Sequence, residues 1–159
     1  MLHRFMTAEG MRNDDPTADF DGIKVPAGIP KPLSEDEVES LLAAVTGTEP
    51  VALRDRALLE LLYASGLRVS ELVGLSMQQI NLQHGLVRVT GKGQKERLVP
   101  MGEEAAHWLR LYLQQGRGLL LGGQLLDVVF PSSRAQQMTR QTFWHRPLFY
   151  AKVAASNGL

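Results

Sequence analysis

YASGLRVSEL, residues 63–72, carries a helix up to a glycine and then presents an arginine and a glutamate three residues apart. Before it, Leu53, Ala57, Leu58, Leu61 and Leu62 recur at helical spacing, and Gly66 is the natural stop. Thr48-Glu49-Pro50 opens that helix with proline in the first turn. Beyond Gly66 the pattern predicts a short helix from near Arg68 to Gly74, and then a turn capped by Ser76 and running through Ile80. The period next switches to two. LVRVT (86–90) alternates, GKGQ (91–94) supplies turn residues, and KERLVP (95–100) gives a second strand. A brief strand near Asn81-Leu82 and a turn at Gly85 complete a small three-stranded antiparallel meander.

Helices flank this meander on both sides. Ser34 and Glu37 form a capping box, each side chain satisfying a backbone N–H, and Val38, Leu41 and Leu42 follow as an apolar stripe. Downstream, a helix over 103–115 buries Ala105, Trp108, Leu109 and Tyr112 and exposes Glu103, His107, Arg110 and Gln114. GRGLLLGG (116–123) reads as a loop, DVVF (127–130) as a short buried strand, and a last helix starts near Thr139. The order of helices, small sheet and helices again predicts an α+β, mostly helical fold. Residues 13–33 carry four prolines and no period, which reads as an extended linker. The expected organisation is therefore a linker with the end of a preceding domain over 1–33, then one domain over 34–159.

Apolar residues make up 44% and charged residues 21%, ordinary for a globular chain. The absence of cysteine excludes disulfides and thiolate metal sites and fits an intracellular, cytoplasmic home. His3, His84, His107 and His145 lack metal-ligand spacing, so no metal is expected. No apolar run has the length of a membrane span, so no membrane partner is expected either. TGKG is not a phosphate loop, because Gly93 follows Lys92 and a strand comes next. Net charge is zero, but unevenly laid out. Residues 1–60 hold 6 Lys/Arg against 12 Asp/Glu, a balance of −6, and residues 61–159 hold 11 against 5, a balance of +6. Arg88, Lys92, Lys95 and Arg97 cluster, as do Arg134, Arg140 and Arg146, which fits either a solvated face or a phosphate-binding one.

Glycine at 66 permits a sharp turn, so Arg68 starts a new helical turn with its planar fork free to grip two phosphate oxygens. Glu71 at i+3 shares its face and can hold the guanidinium. Spacing alone favours a plain exposed ion pair. The longer motifs decide. LSEDEVESLL, LRDRALLELLYASGLRVSELVGL, GLVRVTGKGQKERLVPMGEEA and VVFPSSRAQQMTRQTFWHR, spread from Leu33 to about Arg146, resemble the catalytic domain of tyrosine recombinases, the phage integrase family, in its bacterial XerD-type branch.

That resemblance implies DNA strand cleavage by a tyrosine, through a 3′-phosphotyrosine link that conserves the bond energy without a cofactor. Arg68 then matches the arginine that stabilises charge on the pentacoordinate phosphorus, and Glu71 matches the acidic residue that supports it. Lys92, on the hairpin turn, matches the general acid that protonates the leaving 5′-oxygen. A free lysine titrates near about 10.4, so the site would have to help it release that proton. MTRQTFWHR matches a helix laid in the major groove, with Arg140 and Gln141 as DNA contacts and Phe143 and Trp144 assigned to packing. Lys95 and Arg97 stay open between backbone contacts and plain exposed charges. The implied partners are a double-stranded recombination site, a second recombinase and a septal DNA translocase, in chromosome-dimer resolution.

The family also uses an H-x-x-R pair and a tyrosine nucleophile beyond the major-groove helix. His107–Arg110 comes too early to be that pair, and Tyr63, Tyr112 and Tyr150 all precede the nucleophile's place. The expectation is a truncated catalytic domain, inactive alone, with apolar surface left uncovered. The alternative is a catalytically dead DNA-binding module or a remnant of a mobile-element integrase. Pro147 is expected to interrupt the last helix, and from there the motif resemblance weakens.

Overall fold

A computed structural model describes residues 2–14, 32–91 and 95–156. The chain divides into two compact units, Met1–Pro32 and Leu33–Leu159. In the first, helix α1 (Leu2–Ala8) is followed by a turn in which the Arg12 guanidinium donates to the Asp14 carboxylate at 2.8 Å. Most of the expected linker lies outside the described residues.

The second unit is built on α2 (Glu35–Ala43), α3 (Pro50–Ser65) and α4 (Val69–Val73). The Ser34–Glu37 capping box forms as its spacing predicts, with Ser34 N–H donating to Glu37 at 2.7 Å and Glu37 N–H to Ser34 Oγ at 3.2 Å. Helix α3 starts at Pro50 and ends at Gly66, whose φ of 59° lies in the left-handed region that glycine enters without steric cost. A 3₁₀ turn (Met77–Gln79) leads into β1 (Ile80–Asn81), β2 (Leu86–Thr90) and β3 (Glu96–Pro100), an antiparallel sheet in the order β1-β2-β3. Val87 and Val89 face inward, opposite Val99 and Arg97.

Helix α5 (Glu103–Gln115) buries Ala105, Leu109 and Tyr112 and lies along α3. His107, Arg110 and Gln114 are exposed, as the helical spacing requires. GRGLLLGG is not a loop. It contains α6 (Arg117–Leu121), closed by Gly122 at φ 54°. The Arg117 guanidinium donates to the carbonyls of Leu126 and Val128, so the segment is anchored and its leucines can reach the core through Leu120. Val128, Val129 and Phe130 of DVVF are buried, but the segment joins no sheet. Met77 N–H donates to Asp127 O at 2.9 Å and Val129 N–H to Leu75 O at 2.8 Å, an isolated bridge to the turn after α4.

Helix α7 (Arg140–Ser156) runs through Pro147 without an interruption. Proline has no N–H to offer the carbonyl four residues back, yet Phe143, Tyr150 and Ala154 keep one inward face on both sides of it. Packing holds the helix where propensity would end it. Trp144 departs from expectation: it is 53% exposed, whereas Phe143 is 1% exposed.

A buried polar node ties these helices together. Asp55 Oδ1 accepts from Arg54 at 2.9 and 2.7 Å, and Asp55 Oδ2 accepts from Arg146 and, at 3.0 Å, from the Tyr150 hydroxyl. Arg54 also donates to Pro131 O at 3.0 Å. Arg54 and Asp55 are 3% and 1% exposed, so each charge relies on the other for compensation.

Candidate functional site

The turn after α3 sets the site. Leu67 is buried and anchors it, and Arg68 takes an extended conformation (φ −69°, ψ 146°) as the residue before α4. Its side chain is 73% exposed, whereas that of Glu71 is only 11% exposed. The Glu71 carboxylate closes the helix start by accepting the Arg68 backbone N–H at Oε2, 2.9 Å away. This is half of a capping box, since arginine has no acceptor with which to return the bond. Oε1 also accepts from Arg68 Nη1 at 3.2 Å.

A second arginine completes the arrangement. Arg97, opposite Val89 on β3, donates from Nη1 to Glu71 Oε1 at 3.0 Å and from Nη2 to Oε2 at 2.9 Å. Arg97 and Glu71 thus form a two-pronged ion pair. Spacing along the chain gives no sign of this contact. The inward phase of Val87 and Val89 does, once the hairpin register is known. Leu98, which a hydrophobicity pattern would turn inward, is 65% exposed instead.

The hydrogen bonds from Arg97, the Arg68 backbone N–H and the charge of both guanidiniums hold the Glu71 carboxyl at about 2, against a burial that pushes the other way. Arg97 is correspondingly held charged by its bond to Glu71. A carboxyl lowered in the folded state stabilises the fold fully above its unfolded value of 4.5, and that stability is lost as pH falls through about 2. Solvent around Arg97 and Arg68 screens the pair, so we expect wild type to exceed Glu71→Gln by about 1 kcal/mol near neutrality. Urea unfolding of both proteins between about pH 6 and pH 2 should show that gap closing towards the acid end. A gap independent of pH would contradict this account of Glu71.

Lys92 lies outside the described residues. At the base of the hairpin the Gly91 N–H donates to Lys95 O at 2.8 Å. A Cβ added at Gly91 would stand 3.7 Å from Arg97 Nη1, so the Arg97 guanidinium lies against the base of the hairpin. Glu71 therefore links the Arg68 turn to the strand that carries the hairpin. Ser70, Glu71, Gly74, Gln79, Val89 and Thr90 line a shallow open groove between α4 and β2.

Arg140 and Gln141 open α7, both exposed and neither making a side-chain hydrogen bond among the described residues. Thr139 Oγ1 accepts the Thr142 N–H at 3.1 Å and starts that helix, which packs against α4. Lys95 is exposed beside the hairpin. Not every basic residue is available to a ligand: Arg146 is committed to Asp55, and Arg88 donates to Gln78 O at 3.5 Å. Among the described residues no group of acidic, histidine or cysteine side chains could hold a metal, and no helix is long and apolar enough to cross a membrane.

The phage integrase family matches residues 31–156, further along α7 than the motifs alone carry the resemblance. A curated relative, the tyrosine recombinase XerD of Vibrio cholerae, is 58% identical over 153 residues, which cover 96% of this chain and 51% of the relative. The chain spans about half the length of the curated relatives it matches. Among solved structures, the XerA recombinase is 28% identical with a TM-score of 0.66, over 80% of this chain and 44% of that one. XerH site-specific recombinase, solved bound to its palindromic difH substrate, shares the fold at 21% identity and a TM-score of 0.62, over 79% of this chain and 37% of its own. With a turn, a hairpin and a family match covering nearly all of the second unit, this chain belongs to the phage integrase family, and its curated relatives are tyrosine recombinases.

Proposed function

We propose that this chain is the part of a site-specific DNA recombinase that grips the phosphodiester to be cut and lies along the adjoining duplex. Arg68 stabilises the negative charge that builds on phosphorus as a tyrosine oxygen attacks it. The bond from phosphorus to the 5′-oxygen breaks, and Lys92 donates the proton that this oxygen takes up. Reversal of the same step on a partner strand rejoins the DNA, so no cofactor is consumed. Glu71 orients Arg68, Lys95 contacts the DNA backbone, and Arg140 and Gln141 reach the duplex from the start of α7. The tyrosine and the H-x-x-R pair come from sequence outside these 159 residues. The cellular task is chromosome-dimer resolution in the cytoplasm, beside a second recombinase and a septal translocase.

One observation carries this reading. The Glu71 carboxylate binds both the Arg68 turn and Arg97 at the base of the hairpin, and this shared contact supports a common site. Retention on a half-site duplex from the recombination sequence of the Vibrio cholerae relative tests it. We expect binding that weakens linearly in log–log salt plots, a loss in both Arg68→Ala and Lys92→Ala, and no adduct that survives denaturant. Affinity unchanged in both variants would mean a domain with no DNA role. A covalent adduct would overturn the assignment of the nucleophile to sequence elsewhere.

A further inference from the structure

We propose that Arg97 is a positioning residue for Arg68, acting through Glu71 and not through DNA. The inference rests on the function proposed above. Each Glu71 oxygen takes one N–H from Arg97 and one from Arg68: Oε1 from the two Nη1 groups at 3.0 and 3.2 Å, and Oε2 from Arg97 Nη2 and the Arg68 backbone, both at 2.9 Å. Without Arg97, Glu71 would keep the Arg68 backbone N–H but hold the guanidinium only through an i,i+3 pair whose partner is 73% exposed, an interaction too weak to fix a long side chain. With Arg97, both oxygens are fixed in place, and the carboxylate becomes a rigid seat for the turn that presents Arg68.

Arg97 is suited to this because its own position is set by the sheet. It is opposite Val89 in register, next to the Gly91–Lys95 closure of the hairpin. A shift of the hairpin would pull on Glu71 and so on Arg68. An arginine with both Nη groups on a carboxylate is also largely neutralised, so it contributes little to counterion release on a phosphate.

Lysine at 97 keeps the charge and loses the two-pronged fit, which makes Arg97→Lys the informative variant. On the half-site duplex, Arg68→Ala is expected to weaken binding about tenfold, as for loss of a charged hydrogen-bonding group. Arg97→Lys is expected to weaken it at least about threefold, and to add nothing when combined with Arg68→Ala. In the free chain, ¹⁵N relaxation of the Arg68 Nε–H should report a lower order parameter in Arg97→Lys, with the thermal unfolding still cooperative. Arg97→Lys binding as wild type, or a loss that adds fully to that of Arg68→Ala, would make Arg97 a simple charge or a direct phosphate contact and overturn the proposal. An unchanged Arg68 order parameter would overturn it too. If instead Arg68→Ala has no effect on DNA while the order parameter falls, the positioning stands and the proposed function fails.

Discussion

Replacing Asp55 by alanine is expected to remove about 3–5 kcal/mol of stability, the cost of leaving buried arginine charge without its carboxylate. Arg54 is 3% exposed and sends two of its hydrogen bonds to Asp55, so it cannot turn to water for compensation. The same substitution frees Arg146 and the Tyr150 hydroxyl, which fasten α7 to α3. A domain of this size has about 5–15 kcal/mol in total, so about a fifth or more of it would be lost. Urea unfolding measures this directly, and the midpoint should fall with the slope nearly unchanged. A loss below about 1 kcal/mol would mean that the node is solvated and carries little of the fold. If Arg140 and Gln141 contact DNA as proposed, retention should suffer as well, because both sit at the start of the loosened helix.

Phe143→Ala and Trp144→Ala are neighbours in sequence with opposite expected outcomes. Phe143 is 1% exposed in the core, and its truncation should cost about 3–5 kcal/mol. Trp144 is 53% exposed and meets the Phe143 ring edge-on at 5.2 Å, so its removal should cost under about 1 kcal/mol. Thermal or urea unfolding of the two variants separates them. Equal losses would mean that the outer face of α7 is packed as firmly as the inner one.

Local signals were read well from the sequence because their physics is local. The Ser34–Glu37 box, the Pro50 start and the Gly66 stop each lie within a few residues of the bonds they form, and the alternation of Val87 and Val89 marks the sheet's inner face. What was missed depends on distant partners. Residues 127–130 look like a strand, but their backbone partners are the turn at 75–77, and no ladder develops. The glycines around α6 argue for a loop, and only the carbonyls that Arg117 finds across the turn reverse this. Trp144 and Phe143 have the same apolar character, and only the direction of the helix face tells them apart.

The site divides the same way. Arg68 and Glu71, three residues apart, were legible as a pair, whereas Arg97 reaches Glu71 across 26 residues through strand register. Arg146 was counted with the basic cluster because its partner, Asp55, lies 91 residues away. Charge patterning therefore overstated the free basic surface. It gave the sign of the C-terminal part of the chain and missed which guanidiniums the fold itself uses.

The claim on which the account rests is that Arg68 and Lys92 address a single phosphodiester. A methylphosphonate scan of the half-site duplex tests it most directly: each phosphate around the cleavage position is made neutral in turn, and binding is measured for wild type, Arg68→Ala and Lys92→Ala. The account predicts one phosphate whose neutralisation weakens wild type about tenfold and leaves both variants almost unchanged. Loss of sensitivity at different phosphates in the two variants, or at none, would contradict it.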